Sequence, residues 1–386
     1  MWLLNCNIPG RQGPYHIQVE AGKISQVSNR LPAIPRGKEN SQIYFDNSLA
    51  FPGLINSHDH LDFSLFPPIA NKKYTSYVEW GADIQTKNKS LIDSVTKVPP
   101  SLSIQWGIYK NLLAGVTTVV NHGNRIETGD ELINVFQDCQ SIHSIARGKN
   151  WRLHLNSPKK KKLPVVIHVG EGTNYSASRE IDTLLRWNLF HRSIIGVHGI
   201  AMTEKQASKF KALVWCPVSN CFLYGQTAPV DKLWSHTSIL FGSDSTLTGS
   251  WNFWDHLRIA RNSKLVFDEQ IFDMLTNQAA AVWHVNSGKI EKDRLADIVI
   301  AKPANPENNW DSFYGINPEH LQLVMRRGSI QLFDETLMQS LQPHLSVNDF
   351  SKVYINGVSK YVKGNLPALI MEIKKHNPDL QFPVSF

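Results

Sequence analysis

A chain of 386 residues with 42% hydrophobic content can bury a large core and is long enough for more than one structural unit. Its 40 basic and 33 acidic residues leave a net charge of +7, and no apolar run approaches the ~20 residues that a bilayer span requires. The start "MWLLNCNIPGRQG" has neither the basic segment nor the apolar length of a secretory signal, so a cytoplasmic globular protein with no membrane partner is expected.

The first 50 residues read as a small β unit: "YHIQVEAGKISQVS" alternates and turns at Ala21-Gly22, and "SQIYFD" is a further extended run. Apolar strand-like runs then alternate with amphipathic segments, the pattern of a parallel α/β architecture. The candidate strands are 50–55, 116–120, 141–145, 165–169, 194–197, 212–215 and 239–241, and "WRLHLN" is a further one. Residues 122–162 number only about 40, where two barrel strands with their helices would need about 60, so a helix is expected to be missing there or the barrel distorted. Toward the end, "GKIEKDRLADIVIAKP" and "LQLVMRRGSIQLF" return to the β character of the start. "NLPALIMEIKKHN" spaces Leu366, Leu369, Ile370 and Ile373 as the buried face of a helix packing on that β unit. Three segments follow: 1–50 and 286–386 as two parts of one β domain, the second with the helix, and 51–285 as the α/β unit between them.

Polar residues stand at the ends of the central strands: His58 and His60, His122, His168, His198, Asn220 and Asp244. A β/α barrel gathers catalytic groups at that edge, because each strand's following loop opens onto one mouth. In "FPGLINSHDHLDFSL", His58 and His60 are two apart and would project to the same side of a strand, a metal-ligand geometry. In "PVVIHVGEGT", Glu171 follows His168 in a glycine-flanked turn that lets its carboxylate swing toward whatever His168 holds. "SILFGSDST" sets Asp244 beyond a strand, with Gly242 allowing a close approach. Three histidines and an aspartate suit zinc or iron and leave room for a water.

Asp59 alternates with the two histidines and is expected to point away, and Asp62 reads as a supporting or turn acid. His122 reads equally as a substrate contact and as a structural hydrogen-bonding residue; Asn220 reads as tying loops together. Thr173, Asn174 and Trp80 could line the mouth, with packing an equal reading for Trp80. His236, His256 and His284 read as structural. Cys6, Cys139, Cys216 and Cys221 form no C-x-x-C pair and are expected to be reduced thiols. Lysines 159–162 in "SPKKKKLP" read as a solvated loop; a nucleic-acid contact would need interleaved aromatic residues, which are absent, and is not expected.

Taken together, "PGLINSHDH", "GVTTV", "IHVGEG", "GVHG", "CPVSN" and "FGSDS" resemble the amidohydrolase superfamily, in particular its single-metal deaminase and chlorohydrolase branch of the cytosine, guanine and S-adenosylhomocysteine deaminase kind. The resemblance covers essentially the whole chain. It implies a distorted (β/α)8 TIM barrel with a small composite β-sandwich domain formed by the N- and C-terminal segments. It further implies one divalent metal, zinc with iron as the alternative, held by His58, His60, His168 and Asp244. Glu171 matches the proton shuttle and His198 the histidine that polarises the substrate. The bridging lysine of two-metal members is not assigned, because Asn156 or Ser157 stands near the expected end of the fourth strand.

The implied activity is hydrolysis of a non-peptide C–N bond, deamination of a purine, pterin or pyrimidine, with the heterocycle and water as partners and a homo-oligomer left open. A bound divalent metal lowers the pKa of water from about 15.7 to about 7, which supplies hydroxide near neutral pH. Asp244 is then a proton acceptor, beside Glu171 and His198 as the other catalytic groups. Opening of a cyclic amide or imidazolone, dechlorination of a ring, and a noncatalytic binding protein on the same barrel are the alternatives.

Overall fold

The structure is a computed structural model and describes residues 1–33, 42–127, 132–303 and 309–386. Nine of its strands form one sheet that joins the two ends of the chain. From the start come β1 (Trp2–Asn7), β2 (Pro14–Glu20), β3 (Lys23–Ser28) and β4 (Gln42–Pro52). Eight parallel strands follow: β5 (Leu54–Asp59), β6 (Val116–Asn121), β7 (Asn134–Phe136), β8 (Gln140–Ile142), β9 (Val165–Val169), β10 (Ile194–His198), β11 (Ala212–Trp215) and β12 (Ser238–Phe241). The end of the chain adds β13 (Ile298–Ala301), β14 (Leu321–Arg326), β15 (Ser329–Asp334), β16 (Phe350–Ile355) and β17 (Val358–Lys363).

The large sheet runs β16-β17-β15-β14-β13-β4-β1-β2-β3, so the pairing of β4 with β13 is where the two ends meet. Antiparallel neighbours are joined by tight turns, such as Gly22 between β2 and β3 and Gly357 between β16 and β17; both have positive φ, which costs glycine nothing. The expected boundary at residue 50 falls inside β4, which stays in this sheet through Pro52.

The parallel strands form two sheets in chain order, β5-β6-β7 and β8-β9-β10-β11-β12. β5, β6, β9, β10 and β11 are buried along their whole length, which explains the largely apolar runs of β9, β10 and β11. The outer strands β5 and β12 approach one another: Asp244 N–H donates to His58 O at 3.0 Å, and a Cβ on Gly242 would stand 2.8 Å from His58 Cβ. The approach read from Gly242 in the sequence is therefore a backbone contact between the first and last parallel strands.

The short region resolves as a missing helix. β7 and β8 are three residues each and only residues 137–139 separate them. "WRLHLN" is not a strand: Trp151–Leu155 is a single helical turn that buries Trp151 and Leu155. The fourth parallel strand ends at Ile142, so His143 occupies the place expected for Asn156 or Ser157.

The terminal helix Leu366–His376 buries Leu366, Leu369, Ile370 and Ile373 as the spacing predicts. Those residues join the core of the parallel strands as well as Val353, Ile355 and Val362 of the large sheet. The helix is thus shared between the layers. All four cysteines are unpaired, and among the described residues no helix is long and apolar enough to cross a membrane.

One buried ion pair anchors the large sheet. Lys360 is fully enclosed and donates to Asp334 at 2.7 Å and to Leu321 O at 2.6 Å. Burial works to raise the Asp334 carboxyl, but Lys360 and the Thr336 donors outweigh it and hold it below its ordinary value. Its contribution is therefore present above the unfolded carboxylate pKa of about 3.9 and is lost as pH falls through the lower folded value. Lys360→Met strands the carboxylate and should cost about 3–5 kcal/mol at neutral pH. In urea titrations this deficit should shrink in acid; a deficit independent of pH would show that the pair is not its source.

Candidate metal centre

Because β5 to β12 run parallel, their C-terminal ends lie at one edge, and the side chains there converge. His58 lies in β5, one residue before its end, and His60 follows the strand; His168 lies in β9, His198 closes β10, and Asp244 follows β12. His198 and Asp244 both have positive φ, 73° and 60°, conformations that cost a residue with a Cβ and are tolerated where the surroundings fix them.

His58, His60, His168 and Asp244 are all buried and offer four donor atoms within 4.8 Å of one another. His58 Nε2 stands 3.1 Å from His168 Nε2 and 3.5 Å from Asp244 Oδ1; His60 Nε2 stands 3.6 Å from the same oxygen. A tetrahedron with arms of about 2.0–2.1 Å has edges of about 3.3–3.4 Å, so these separations match ligands around one small cation. Two imidazole nitrogens facing each other so closely need a proton or a cation between them. Burial, against the opposing pull of Asp244, holds His58 down to about 4, and burial with the neighbouring histidines holds His168 well below its ordinary value, which favours the neutral rings that coordination requires. The donor set therefore fits a divalent metal ion.

Further groups orient this set. Asp244 Oδ2 accepts from Ser219 at 2.7 Å and from Thr248 at 3.1 Å, leaving Oδ1 for the histidines. His198 Nδ1 lies 2.9 Å from Asn220 Oδ1, which fixes the N–H on that side and turns Nε2 toward Glu171 Oε2, 3.6 Å away. Asn220 thus acts on a site histidine rather than merely tying loops. Glu171 is buried, which raises its carboxyl against the pull of the His198 charge, and Tyr224 donates to its Oε1 at 2.8 Å.

Asp59 does face away from the cluster. It accepts from Lys110 and Asn111 at 3.0 and 2.8 Å in a fully buried polar knot behind the ligands.

A cavity of about 450 Å³ opens over the cluster. Its lining includes His60, His122, His168, Glu171, His198 and Asp244, with Asp62, Trp80 and Leu247 on the walls. Trp80 satisfies both of its readings: its ring lines the cavity while its N–H donates to Ile69 O at 2.9 Å. His122 is buried 4.5 Å from the His168 ring, and both its nitrogens lack a protein partner, which counts against the structural hydrogen bond.

Thr173 and Asn174 are not brought to the cavity. Thr173 pairs through its backbone with Thr75, and Asn174 caps the helix Tyr175–Trp187 by accepting from Ala177 N–H. His256 and His236 have ordinary structural partners in Ser250 O and Glu204, and His284 lies beside Lys211.

Among the cavity residues not singled out from the sequence are His143, Tyr77 and Arg147. His143, beyond β8, stands 5.0 Å from the His168 ring; the strand-end pattern that found the other histidines applies to it too. Tyr77 and Arg147 have no such signal, although Gly81 leaves the space that the Arg147 guanidinium occupies.

The sequence model of the amidohydrolase family matches residues 152–332. A 5'-deoxyadenosine deaminase of Methanococcus aeolicus is 21% identical over 90% of this chain and 95% of its own. A 5-methylthioadenosine/S-adenosylhomocysteine deaminase of Caldanaerobacter subterraneus is 21% identical over 82% of this chain and 88% of its own. Among solved structures, an adenosine deaminase of Xanthomonas campestris with bound zinc superposes with a TM-score of 0.69 at 15% identity, covering 98% of this chain and 97% of that one. An atrazine chlorohydrolase of Arthrobacter aurescens complexed with zinc gives 0.65 at 14% identity over 86% and 94%. The chain is thus similar to the amidohydrolase family over residues 152–332, and to deaminases over most of its length.

Proposed function

We propose that the protein is a zinc-dependent hydrolase that deaminates an aminated heterocycle, an adenine-type nucleoside before a pterin or a pyrimidine, on a closed eight-stranded barrel. The observation that carries this reading is the convergence of four metal donors, Glu171 and His198 on one cavity. The curated relatives named as adenosine-type deaminases support the substrate class, and the approach of β5 to β12 supports closure of the barrel.

Bound zinc would supply a Lewis acid and lower the pKa of water toward neutrality. The Asp244 carboxylate takes a proton as the water oxygen adds to the ring carbon that bears the amine. Glu171 delivers a proton to the adjoining ring nitrogen, so the carbon becomes tetrahedral without a build-up of charge on the ring. As an imidazolium, with its Nδ1–H held by Asn220, His198 donates from Nε2 to the oxygen that is becoming the carbonyl. The C–N bond to the amine then breaks with its electrons on nitrogen; the proton held by Asp244 completes ammonia, and the remaining hydroxyl proton passes to Glu171 as the carbonyl forms, which resets both carboxyls. His122 would bond the heterocycle and Arg147 would offer its charge to a polar substituent, a reading supported by the presence of both in the cavity lining.

Zinc-loaded protein should release ammonia from a panel of aminopurine nucleosides, aminopterins and aminopyrimidines, and a chelator should stop it. Chloride from a chlorotriazine, or a ring-opened product without ammonia, would transfer the reading to dechlorination or cyclic-amide hydrolysis.

A further inference from the structure

One helix touches three of the site's groups, and its last residue has no role in the reaction as described. Pro217–Tyr224 starts directly after β11, with Pro217 in the first turn where its missing N–H is not needed, and stops at Gly225, whose φ of 72° terminates it. Ser219 donates to Asp244, Asn220 accepts from His198, and Tyr224 donates to Glu171. Asn220 and Tyr224 are four residues apart and share a helix face, so one rigid element sets the spacing between the polarising histidine and the shuttle.

Its C-terminal end is itself tied down. Lys73 Nζ donates to the carbonyls of Cys221, which also accepts from Gly225 N–H, and Phe222 at 2.8 and 2.7 Å, and Tyr74 N–H donates to Leu223 O at 2.8 Å. A cation on the last carbonyls of a helix satisfies acceptors that have no partner within the helix and offsets the negative end of its dipole.

We infer that Tyr224 is a positioning residue that fixes the rotamer of Glu171 and leaves a single carboxylate oxygen to carry the proton. This rests on the deaminase reading of Glu171 given above. The phenol is 2.8 Å from Oε1, while Oε2 faces His198 at 3.6 Å, so the two oxygens have separate tasks. Both side chains are buried, and no water need compete for the bond. Burial and the neighbouring carboxylate also keep the phenol protonated and hence a donor at any working pH. A carboxylate held by one oxygen can still pass a proton through the other, whereas a freely rotating one must be reoriented in each turnover.

Tyr224→Phe keeps the ring and removes only the donor. With the best substrate of the panel, kcat should fall about 10–100-fold, while zinc content is kept. KM should change by less than about twofold. Introduced into Glu171→Gln, the same change should cost less than about twofold more, because the group it positions no longer moves a proton. A kcat within about twofold of the parent, or an equal loss in both backgrounds, would overturn the inference while leaving the deaminase reading in place. Full turnover by Glu171→Gln alone would instead overturn that reading, and the role of Tyr224 with it.

Discussion

Glu171→Gln should lower turnover by about 10²–10⁴-fold while the protein keeps its zinc, its fold and its affinity for the heterocycle. The amide is isosteric, and its oxygen can still accept from Tyr224, so the 2.8 Å contact and the packing around it have no reason to change. What is lost is the ability to take up and release a proton at the oxygen facing the cavity. None of the four metal donors is altered, since Glu171 lies outside that set. Three measurements decide the matter: zinc per chain, binding of an unreactive analogue, and the rate of ammonia release. Loss of zinc together with activity would make Glu171 a structural support of the centre, and unchanged ammonia release would place the proton transfer on another residue. A noncatalytic binding protein predicts that the variant binds its partner as before and that the parent releases no ammonia.

The parts of this centre legible in the sequence were those in which a short-range pattern has one structural outcome. His58 and His60 are two apart in an extended run, so they had to share a side. His168 and Asp244 sit at or just past the end of apolar runs, and parallel strands bring such ends to one edge. Gly242 was legible for the same reason: a Cβ there would collide with the neighbouring strand. The region between β6 and β9 was not legible. Strands of three residues are too short to show a period, and the one-turn helix Trp151–Leu155 buries only two residues, too few to separate it from an extended run. Asn174 carried a competing signal that was passed over, since an asparagine just before an amphipathic helix is first of all a cap. Tyr224 had no local signature. Its partner lies 53 residues away, in the turn after β9, and only the tertiary fold brings them together.

The three consecutive residues His58, Asp59 and His60 should separate binding from stability more sharply than any others in the chain. His58→Ala removes one of four donors from a set whose separations match a single ion, and it leaves His168 Nε2 without the partner it faces at 3.1 Å. Zinc retention through dialysis should be lost, and ammonia release should fall to background, at least about a millionfold if the enzyme has an ordinary rate enhancement. Asp59→Ala should do the reverse. Its carboxylate touches no metal donor but pairs with Lys110, whose ammonium is also buried, so removing it strands a cation in the core and should cost about 3–5 kcal/mol of stability. In the fraction that remains folded, zinc binding and turnover should persist. Lys110→Met combined with Asp59→Leu should recover much of that stability, because an apolar pair of similar volume leaves no unpaired charge. Should Asp59→Ala instead lose zinc at full stability, the alternation along β5 would have been assigned to the wrong face, and the aspartate between the two histidines would belong to the metal.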